Sequence, residues 1–436
     1  MSKQVSVFWF RRDLRLEDNA GLWKALNSGH RVLPIFIFDK NILDKLEDKD
    51  DARVSFIHQV LNGIQSELQS LGSSLKVFYS SPMEVMEELA NEYDVQALYL
   101  NRDYEPYARE RDAAVYEFWK AKDVEVIGAK DHVIFEKNEV VKADGTPYLV
   151  YSPYAKAWRK KLEDQHSTAY PTLDLVENFI KTSPWPIPSL QEIGFTQTAI
   201  DLPTADVKES IIKSYDKTRN FPGNQKSTTR LGLHLRFGTI SIRALLRKAL
   251  RLNDTYVSEL IWRDFFQMAL YYFPESRQKA IKPKYDHIPW DFNQAQFDAW
   301  CQGKTGYPIV DAGMRELNAT GYMHNRVRMI VASFLTKHLL MDWRLGEAYF
   351  AKKLLDFDLA SNIGGWQWAS GSGLDAAPYF RVFNPTSQMD KFDKDRTYIR
   401  KWVPEWGTSS YPEPIVDHKW ARERCLATFK EALSNT

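Results

Sequence analysis

The sequence predicts an α/β plus all-α protein, in which a doubly wound parallel sheet domain precedes a larger helical domain. In the first third of the chain, short apolar segments alternate with longer amphipathic ones, which is typical of βαβ units. In the second half, segments with strand character disappear and apolar residues recur at helical spacing. At 436 residues, the chain is also long enough to form two hydrophobic cores.

Five short segments rich in β-branched and aromatic residues are predicted to be strands. They are residues 5–10, 32–38, 75–79, 97–101 and 124–128. Residues 52–71, between the second and third, carry apolar side chains at helical spacing. No G-x-G-x-x-G follows the first strand, so the common dinucleotide fingerprint of such sheets is missing.

We predict the α/β domain over residues 1–130, a long linker over 131–207 and the helical domain over 208–436. Residues 182–207 are rich in Pro, Thr and Ser, a composition typical of loops. The predicted helices of the second domain are residues 242–252, 256–273, 312–320, 324–340 and 346–355.

Composition excludes several classes of protein. The 58 Lys and Arg nearly balance the 57 Asp and Glu, so a nucleic acid must be bound by a local patch. Two cysteines are too few for a disulfide framework or a cysteine-ligated metal. The nine His show no metal-binding spacing, and neither a signal peptide nor a membrane-spanning run is present. We therefore expect a cytoplasmic monomer without a metal.

Two predicted helices each place polar residues on one face. Glu259, Trp262 and Arg263 stand at i, i+3 and i+4, an arrangement that could stack a flat ring while hydrogen-bonding its edge. The alternative is an intrahelical Glu–Arg pair beside a core tryptophan. Asn325 and Arg328 share a face in the same way.

Two basic segments are interleaved with aromatic residues. In residues 213–232, a Ser-Thr-Thr-Arg cluster at 227–230 precedes a helical run, and hydroxyls and backbone N–H groups there could bind a phosphate. The alternative is an ordinary helix-capping loop. Residues 396–402 form the second segment, RTYIRKW, and offer candidate contacts to a nucleic-acid backbone.

Residues 361–385, SNIGGWQWASGSGLDAAPYFRVFNP, place Trp366 and Trp368 directly after two glycines. The pattern predicts neither a clean strand nor a clean helix. Two such tryptophans, taken alone, are typical of core packing.

Several long motifs, in order along the chain, resemble the photolyase/cryptochrome family. They are FWFRRDLRLEDNAGL, ELIWRDFF, GKTGYPIVDAGMRELNATGYMHNRVRM, DWRLGEAYF and the segment 361–385. The chain is most similar to the class I photolyases that repair cyclobutane pyrimidine dimers. The resemblance implies an N-terminal domain that binds an antenna pigment and a helical domain that binds FAD.

The resemblance also implies an activity and a set of site residues. The activity is blue-light-driven electron transfer from reduced FAD to a pyrimidine dimer flipped out of DNA. The implied catalytic residues are Glu259, Asn325, Met329, Trp366, Trp343 and Trp290, the last three forming an electron-transfer chain that ends at the surface.

The same resemblance assigns residues to the cofactor and to DNA. The residues implied to bind FAD are Tyr215, Thr228, Thr229, Arg230, Leu231, Arg328, Asp356, Asp358 and Asn362. The residues implied to bind the dimer or the DNA are Arg219, Trp262, Arg263, Arg326, Trp368 and Gln388. Arg328 and Asp356 are expected to form an ion pair, and Trp368 to stack on the dimer opposite Trp262.

The chain differs from its relatives at three positions, and two alternative functions stay open. Gly232 stands where many relatives have Ser, and Tyr256 where some have Trp. Ala108 stands where folate-using relatives tend to have Glu. At that position the resemblance favours a deazaflavin as the antenna over a folate or FMN, and an empty antenna pocket stays open as well. A cryptochrome photoreceptor would share the fold, but the chain ends at Thr436, soon after the folded motifs. A (6-4) photolyase would carry paired histidines at Asn325 and Met329.

Overall fold

The structure is a computed structural model that describes residues 4–434. It divides the chain into two compact units, neither of which is continuous in sequence. The first contains the described residues up to 136 together with 162–206 and 231–248. The second contains 137–161, 207–230 and the residues from 249 onward. These boundaries differ from the expected ones, because the predicted linker is shared between both units and residues 231–248 belong to the first.

The secondary structure follows the predicted order. Strands alternate with helices up to the fifth strand, and only helices follow in the described chain. The strands are β1 Gln4–Phe10, β2 Val32–Asp39, β3 Lys76–Ser80, β4 Asp94–Asn101 and β5 Glu125–Ala129. The helices up to residue 252 are α1 Ala20–Leu26, α2 Lys40–Leu43, α3 Ala52–Ser70, α4 Pro82–Glu92, α5 Pro106–Lys120, α6 Tyr151–Lys161, α7 Glu209–Lys213, α8 Tyr215–Thr218, α9 Gly232–Phe237 and α10 Ile242–Leu252.

The remaining helices belong to the second unit. They are α11 Asp254–Tyr272, α12 Gln294–Gln302, α13 Pro308–Thr320, α14 Asn325–Ser333, α15 Trp343–Lys353, α16 Leu359–Ser370, α17 Pro385–Phe392, α18 Thr397–Trp402 and α19 His418–Ser434, with a π-helical turn at Phe334–His338. Short 3₁₀ turns occur at Asp164–His166, Thr172–Asn178, Pro274–Arg277 and Pro283–His287.

The first unit is built on a parallel sheet with the strand order β3-β2-β1-β4-β5. All four strand pairs are parallel, with Val7 of β1 opposite Leu33 of β2 and Leu98 of β4. The central strand β1 and its neighbour β2 are buried along nearly their whole length, as expected where helices cover both faces. The prediction of a doubly wound parallel sheet is therefore confirmed.

A buried charge network ties the late part of the first unit to its early part. Arg243 on α10 donates to Asp18 at 2.9 Å and to Asp131 at 2.8 Å, and Arg15 donates to Asp131 at 2.8 Å. Burial opposes ionisation of Asp131, but the two guanidinium groups outweigh it and hold the pKa of that carboxyl below its usual range. Removing one member would leave an uncompensated buried charge.

The second unit is organised around α16, which packs against α11, α14 and α15. Two glycines allow this close approach. A Cβ on Gly346 of α15 would lie 2.1 Å from the Trp366 ring, and one on Gly364 would lie 2.2 Å from the Phe266 ring. Any larger side chain at these positions would separate the helices.

The tryptophan-rich segment differs from its expectation. Trp366 and Trp368 lie in the regular helix α16, although the sequence pattern predicted neither helix nor strand. The glycines lower helix propensity locally, but packing on three neighbouring helices outweighs that cost. None of the helices given above has the length and apolar composition of a membrane-spanning segment.

Candidate functional site

Glu259 on α11 forms an ion pair with Arg219, which follows α8. The ion pair is made by the carboxylate Oε1, which has no well-aligned hydrogen bond within the described chain. Burial raises the pKa of Glu259, and the Arg219 charge, which favours the ionised form, offsets this only in part. The carboxyl group is therefore suited to hold a proton more readily than an exposed glutamate.

Trp262, one turn after Glu259, is stacked face to face on Tyr151, with ring centroids 3.8 Å apart and the planes 3° from parallel. Phe265 and Phe266 pack at 5.6 Å and 5.4 Å from the same ring. Tyr151 lies in the predicted linker and was not among the predicted site residues. Arg263 is half-buried on the same helix.

Helix α14 begins with a cluster of candidate residues. His324 caps the helix, its Nδ1 accepting from the Arg326 backbone N–H at 3.1 Å. Asn325 is exposed and Met329 half-buried. The Arg326 guanidinium donates to Asn220 Oδ1 at 2.7 Å and lies 4.6 Å from the centroid of the Phe392 ring. Arg326 is thus held in one orientation beside the segment that carries Arg219.

The hydroxyls of the 228–231 segment are bound by tyrosines. Thr228 Oγ1 lies 3.0 Å from the Tyr322 hydroxyl. Thr229 Oγ1 lies 2.9 Å from the hydroxyl of Tyr256, the residue that stands where some relatives have tryptophan. Arg230 has a left-handed backbone with φ of 55°, and its guanidinium lies 4.5 Å from the Tyr322 ring centroid.

Two further predicted cofactor residues, Tyr215 and Leu231, are both buried. Tyr215, at the start of α8, is buried, with its ring 5.0 Å from that of Tyr256. Leu231 is also buried and is counted with the first unit, where it precedes α9. The expected helix start after the Ser-Thr-Thr-Arg cluster is confirmed, although α9 has only six residues.

The expected ion pair between Arg328 and Asp356 is present, with Nη2 at 2.9 Å and 3.0 Å from the two carboxylate oxygens. Arg328 also donates through Nε to the Met323 backbone oxygen at 2.7 Å. Asp358 caps α16 by accepting from the Ser361 N–H at 3.0 Å. Its two oxygens also accept from Gln267 Nε2 at 3.1 Å and 3.2 Å.

Asn362 on α16 is buried, and its amide orientation is fixed by Glu347 on α15. Nδ2 donates to Glu347 Oε1 at 2.8 Å and to the Glu347 backbone oxygen at 3.1 Å. Because both donated bonds go to Glu347, the acceptor Oδ1 points elsewhere. Burial raises the pKa of Glu347, and the Asn362 bond opposes this. Glu347 was not among the predicted residues, because nothing in the sequence pairs it with Asn362.

The three tryptophans of the expected electron-transfer chain belong to or pack against one hydrophobic cluster. Trp366 and Trp343 are buried, whereas Trp290 is half-buried. Trp300, a residue that sequence reasoning missed, lies 6.1 Å from Trp366 between ring centroids. Phe350 lies 5.0 Å from Trp366.

Trp368 and Gln388 complete the set of predicted residues. Trp368 is half-buried on α16 and packs against the same cluster as Trp366. Gln388 is half-buried on α17. In the part of the chain that the structure describes, no cluster of three His, Cys, Asp or Glu side chains is placed to ligate a metal.

Two buried polar atoms suit a polar ligand. His324 Nε2 and Gln267 Oε1 have no hydrogen-bond partner among residues 4–434. Burial and the charges of Arg328, Arg326, Arg230 and Arg219 lower the pKa of His324 to about 3. The ring is therefore neutral, and because Nδ1 accepts, Nε2 carries the hydrogen and is an unused donor. An unused donor, an unused acceptor and a cluster of arginines fit a cofactor with a polar ring and phosphates.

Two family models match the chain. The model described as DNA photolyase matches residues 6–173, and the model described as FAD binding domain of DNA photolyase matches residues 256–409. The deoxyribodipyrimidine photo-lyase of Synechococcus sp. is 37% identical over 98% of this chain and 96% of its own length.

Solved structures agree with these matches. A bacterial class III photolyase from Agrobacterium tumefaciens superposes with a TM-score of 0.87 at 32% identity, covering 100% of this chain and 99% of its own. An archaeal photolyase from Sulfolobus tokodaii with two FAD molecules gives 0.82 at 32% identity, covering 98% and 99%. A Synechocystis cryptochrome gives 0.83 at 25% identity, again covering 98% and 99%.

The chain belongs to the photolyase/cryptochrome family. The expected enzyme class, deoxyribodipyrimidine photolyase, is confirmed by several full-length relatives of that name. FAD is the cofactor of the matched helical domain, and the residues around Arg328, Asp358 and Asn362 fit it.

We predict that acidification destabilises the helical unit partly through His324. Its pKa is about 3 in the folded chain against 6.5 for an unperturbed histidine, so the unfolded state binds more protons between these values. Stability is full above pH 6.5 and falls by up to about 1.4 kcal/mol per pH unit as pH drops towards 3. Urea unfolding of His324→Gln between pH 7 and 5 should show a shallower decline. The exposed His287→Gln is the control, and an unchanged slope in His324→Gln would contradict the prediction.

Proposed function

We propose that the protein repairs cyclobutane pyrimidine dimers in DNA by blue-light-driven electron transfer, acting as a monomer in the cytoplasm. The observation that supports this proposal is the pairing of a half-buried carboxyl with an aromatic stack on one helix. Glu259 supplies a polar edge contact, and Trp262 supplies a flat surface one turn away. A damaged base pair costs less to flip out than a normal one, so such a site can select for the lesion.

Glu259 is the residue that contacts the pyrimidine carbonyl edge. Burial raises its pKa while Arg219 opposes this, and a carboxyl that holds a proton can donate a hydrogen bond to a carbonyl oxygen. That bond strengthens as negative charge develops on the oxygen. Arg219 orients the carboxyl by pairing with it.

The remaining contacts hold the dimer and its strand. Trp262 and Trp368 stack on the dimer, while Asn325 and Met329 contact its polar edge and its methyl groups. Arg326 is fixed by Asn220 and, with Arg219, Arg263 and Gln388, contacts the DNA. Arginine suits this role because its planar fork matches a phosphate.

The residues that would hold the cofactor belong to the second unit. FAD, when bound in its reduced form, supplies the light-absorbing electron donor. Thr228, Thr229 and Arg230, with Tyr215, would hold its phosphates. Arg328, Asp356, Asp358 and Asn362 would hold its ring system. Glu347 positions Asn362 by accepting both hydrogen bonds of the amide nitrogen, so that Oδ1 would be the atom that accepts from the ring.

A second chromophore bound to the first unit would serve as an antenna. A deazaflavin, a folate or FMN are the candidates, and the Sulfolobus tokodaii photolyase with two FAD molecules adds FAD. A cryptochrome photoreceptor is the second candidate function, because the Synechocystis cryptochrome shares the fold over 98% of this chain.

The deciding experiment is a blue-light repair assay with reduced protein on two oligonucleotides. One contains a cyclobutane thymine dimer and the other a (6-4) photoproduct. We expect restoration of the first alone. Restoration of the second alone would contradict the assignment, and restoration of neither, with FAD bound and photoreducible, would favour the photoreceptor.

We predict that Glu259→Ala lowers the repair rate about tenfold, equivalent to one hydrogen bond to a developing charge. Glu259→Gln should retain more activity, because the amide can still donate to a carbonyl oxygen. Repair per absorbed photon and FAD content are the measurements. An unchanged yield in Glu259→Ala, with FAD still bound, would remove Glu259 from the site.

We also predict that Trp290→Phe slows the photoreduction of oxidised FAD but leaves repair by reduced protein intact. An electron that enters at half-buried Trp290 reaches Trp366 through Trp343, and phenylalanine is much harder to oxidise than tryptophan. Transient absorption measures the rate, with Trp23→Phe in the first unit as the control. Normal photoreduction would show that another route operates, for example through Trp300 or Trp402.

A further inference from the structure

Tyr151 makes the closest parallel ring contact of the candidate site. It is the first residue of α6, and its ring lies 3.8 Å from that of Trp262 at 3°. Stacking at this distance and angle covers one face of the indole. Only the opposite face of Trp262 can then receive a flat ligand.

Tyr151 is itself held from several sides. Its hydroxyl donates to the Ser258 backbone oxygen at 2.9 Å, and its backbone N–H donates to Asp375 Oδ1 at 3.3 Å. Phe265 packs edge-on at 6.0 Å. Burial raises the pKa of Tyr151 to about 12, so the hydroxyl keeps its proton and remains a donor at neutral pH.

Residues 149–151 are connected to the part of the chain that follows Trp368. Asp375, which accepts from Tyr151, donates its own N–H to the Leu149 oxygen at 3.0 Å. Ala377, two residues later, donates to the Trp368 oxygen at 3.3 Å. Asp375 has φ of 47°, a conformation that side chains rarely adopt without such constraints.

We propose that Tyr151 is a positioning residue of the dimer site, which sets the plane of Trp262 and so prepares one indole face to stack on the pyrimidine dimer. The proposal rests on the function proposed above. Tyr151 forms the outer layer, Trp262 the middle layer and the flipped dimer the inner layer. The hydrogen bonds of Asp375 also connect Tyr151 to the segment that follows Trp368.

This arrangement has an energetic consequence for binding. A stacking ring that is already fixed loses little conformational freedom when the ligand arrives. Without Tyr151, Trp262 could adopt other side-chain angles in the free protein, and part of the stacking energy would be spent on ordering it. The effect falls on affinity for the lesion, since Tyr151 is separated from the dimer by the indole.

The test compares Tyr151→Leu, which removes the stacking ring, with Tyr151→Phe, which keeps it. Tyr272→Leu, at the end of the same helix α11, is the control. Each protein is prepared with FAD, and its affinity is measured for a single-stranded oligonucleotide with one thymine dimer and for the undamaged strand. FAD content, thermal midpoint and repair rate at saturating DNA are recorded in parallel.

We expect Tyr151→Leu to weaken binding of the dimer about three- to tenfold, with the undamaged strand bound as before. FAD content and the saturating repair rate should stay unchanged. Tyr151→Phe and Tyr272→Leu should bind the dimer like the unsubstituted protein. If Tyr151→Leu does not fold, Tyr151→Met provides the same test, because the flexible methionine chain fills the gap.

Two results would overturn the proposal. Unchanged dimer affinity in Tyr151→Leu would show that Trp262 needs no support, and loss of FAD together with affinity in both Leu and Met variants would indicate a general packing role. Failure of the proposed function would give a different result from failure of the Tyr151 proposal. In that case the unsubstituted protein itself would not distinguish the dimer from undamaged DNA.

Discussion

Close packing of α16 on three neighbouring helices is the constraint on which the helical unit depends. At Gly346 and Gly364 the backbone approaches an aromatic ring so closely that no Cβ would fit. This approach buries Trp366 against α15 and half-buries Phe266 against α16. Because Asn362, Trp366 and Trp368 all lie on α16, the same packing that stabilises the core also determines where these three proposed site residues stand.

The polar part of the site is organised by partners that hold each arginine. Arg219 pairs with Glu259, Arg326 with Asn220 and Arg328 with Asp356. A guanidinium with a fixed partner can be half-buried without a large cost. Burial and the summed positive charge keep His324 neutral at physiological pH, so Nδ1 remains an acceptor for the Arg326 N–H and the site does not gain a further charge.

The sequence predicted the elements better than the contacts between them. The five strands were predictable because their apolar runs are nearly continuous, and the motifs indicated most of the proposed site residues. Helix α16 was not predicted, since its glycines lower the local propensity that packing restores. Tyr151 and Glu347 were missed because each acts on a residue distant in the chain, Trp262 and Asn362, and periodicity within one helix carries no information about such pairs.

The interleaving of the two units affects how the chain can fold during synthesis. The first unit includes residues 231–248, among them Arg243, which neutralises Asp18 and Asp131. While only the first 136 residues have been made, Asp131 can pair with Arg15, but the contacts of Arg243 are still missing. The first unit can therefore complete its buried charge network only after more than a hundred further residues have been synthesised, which couples the last step of its folding to the translation of a later segment.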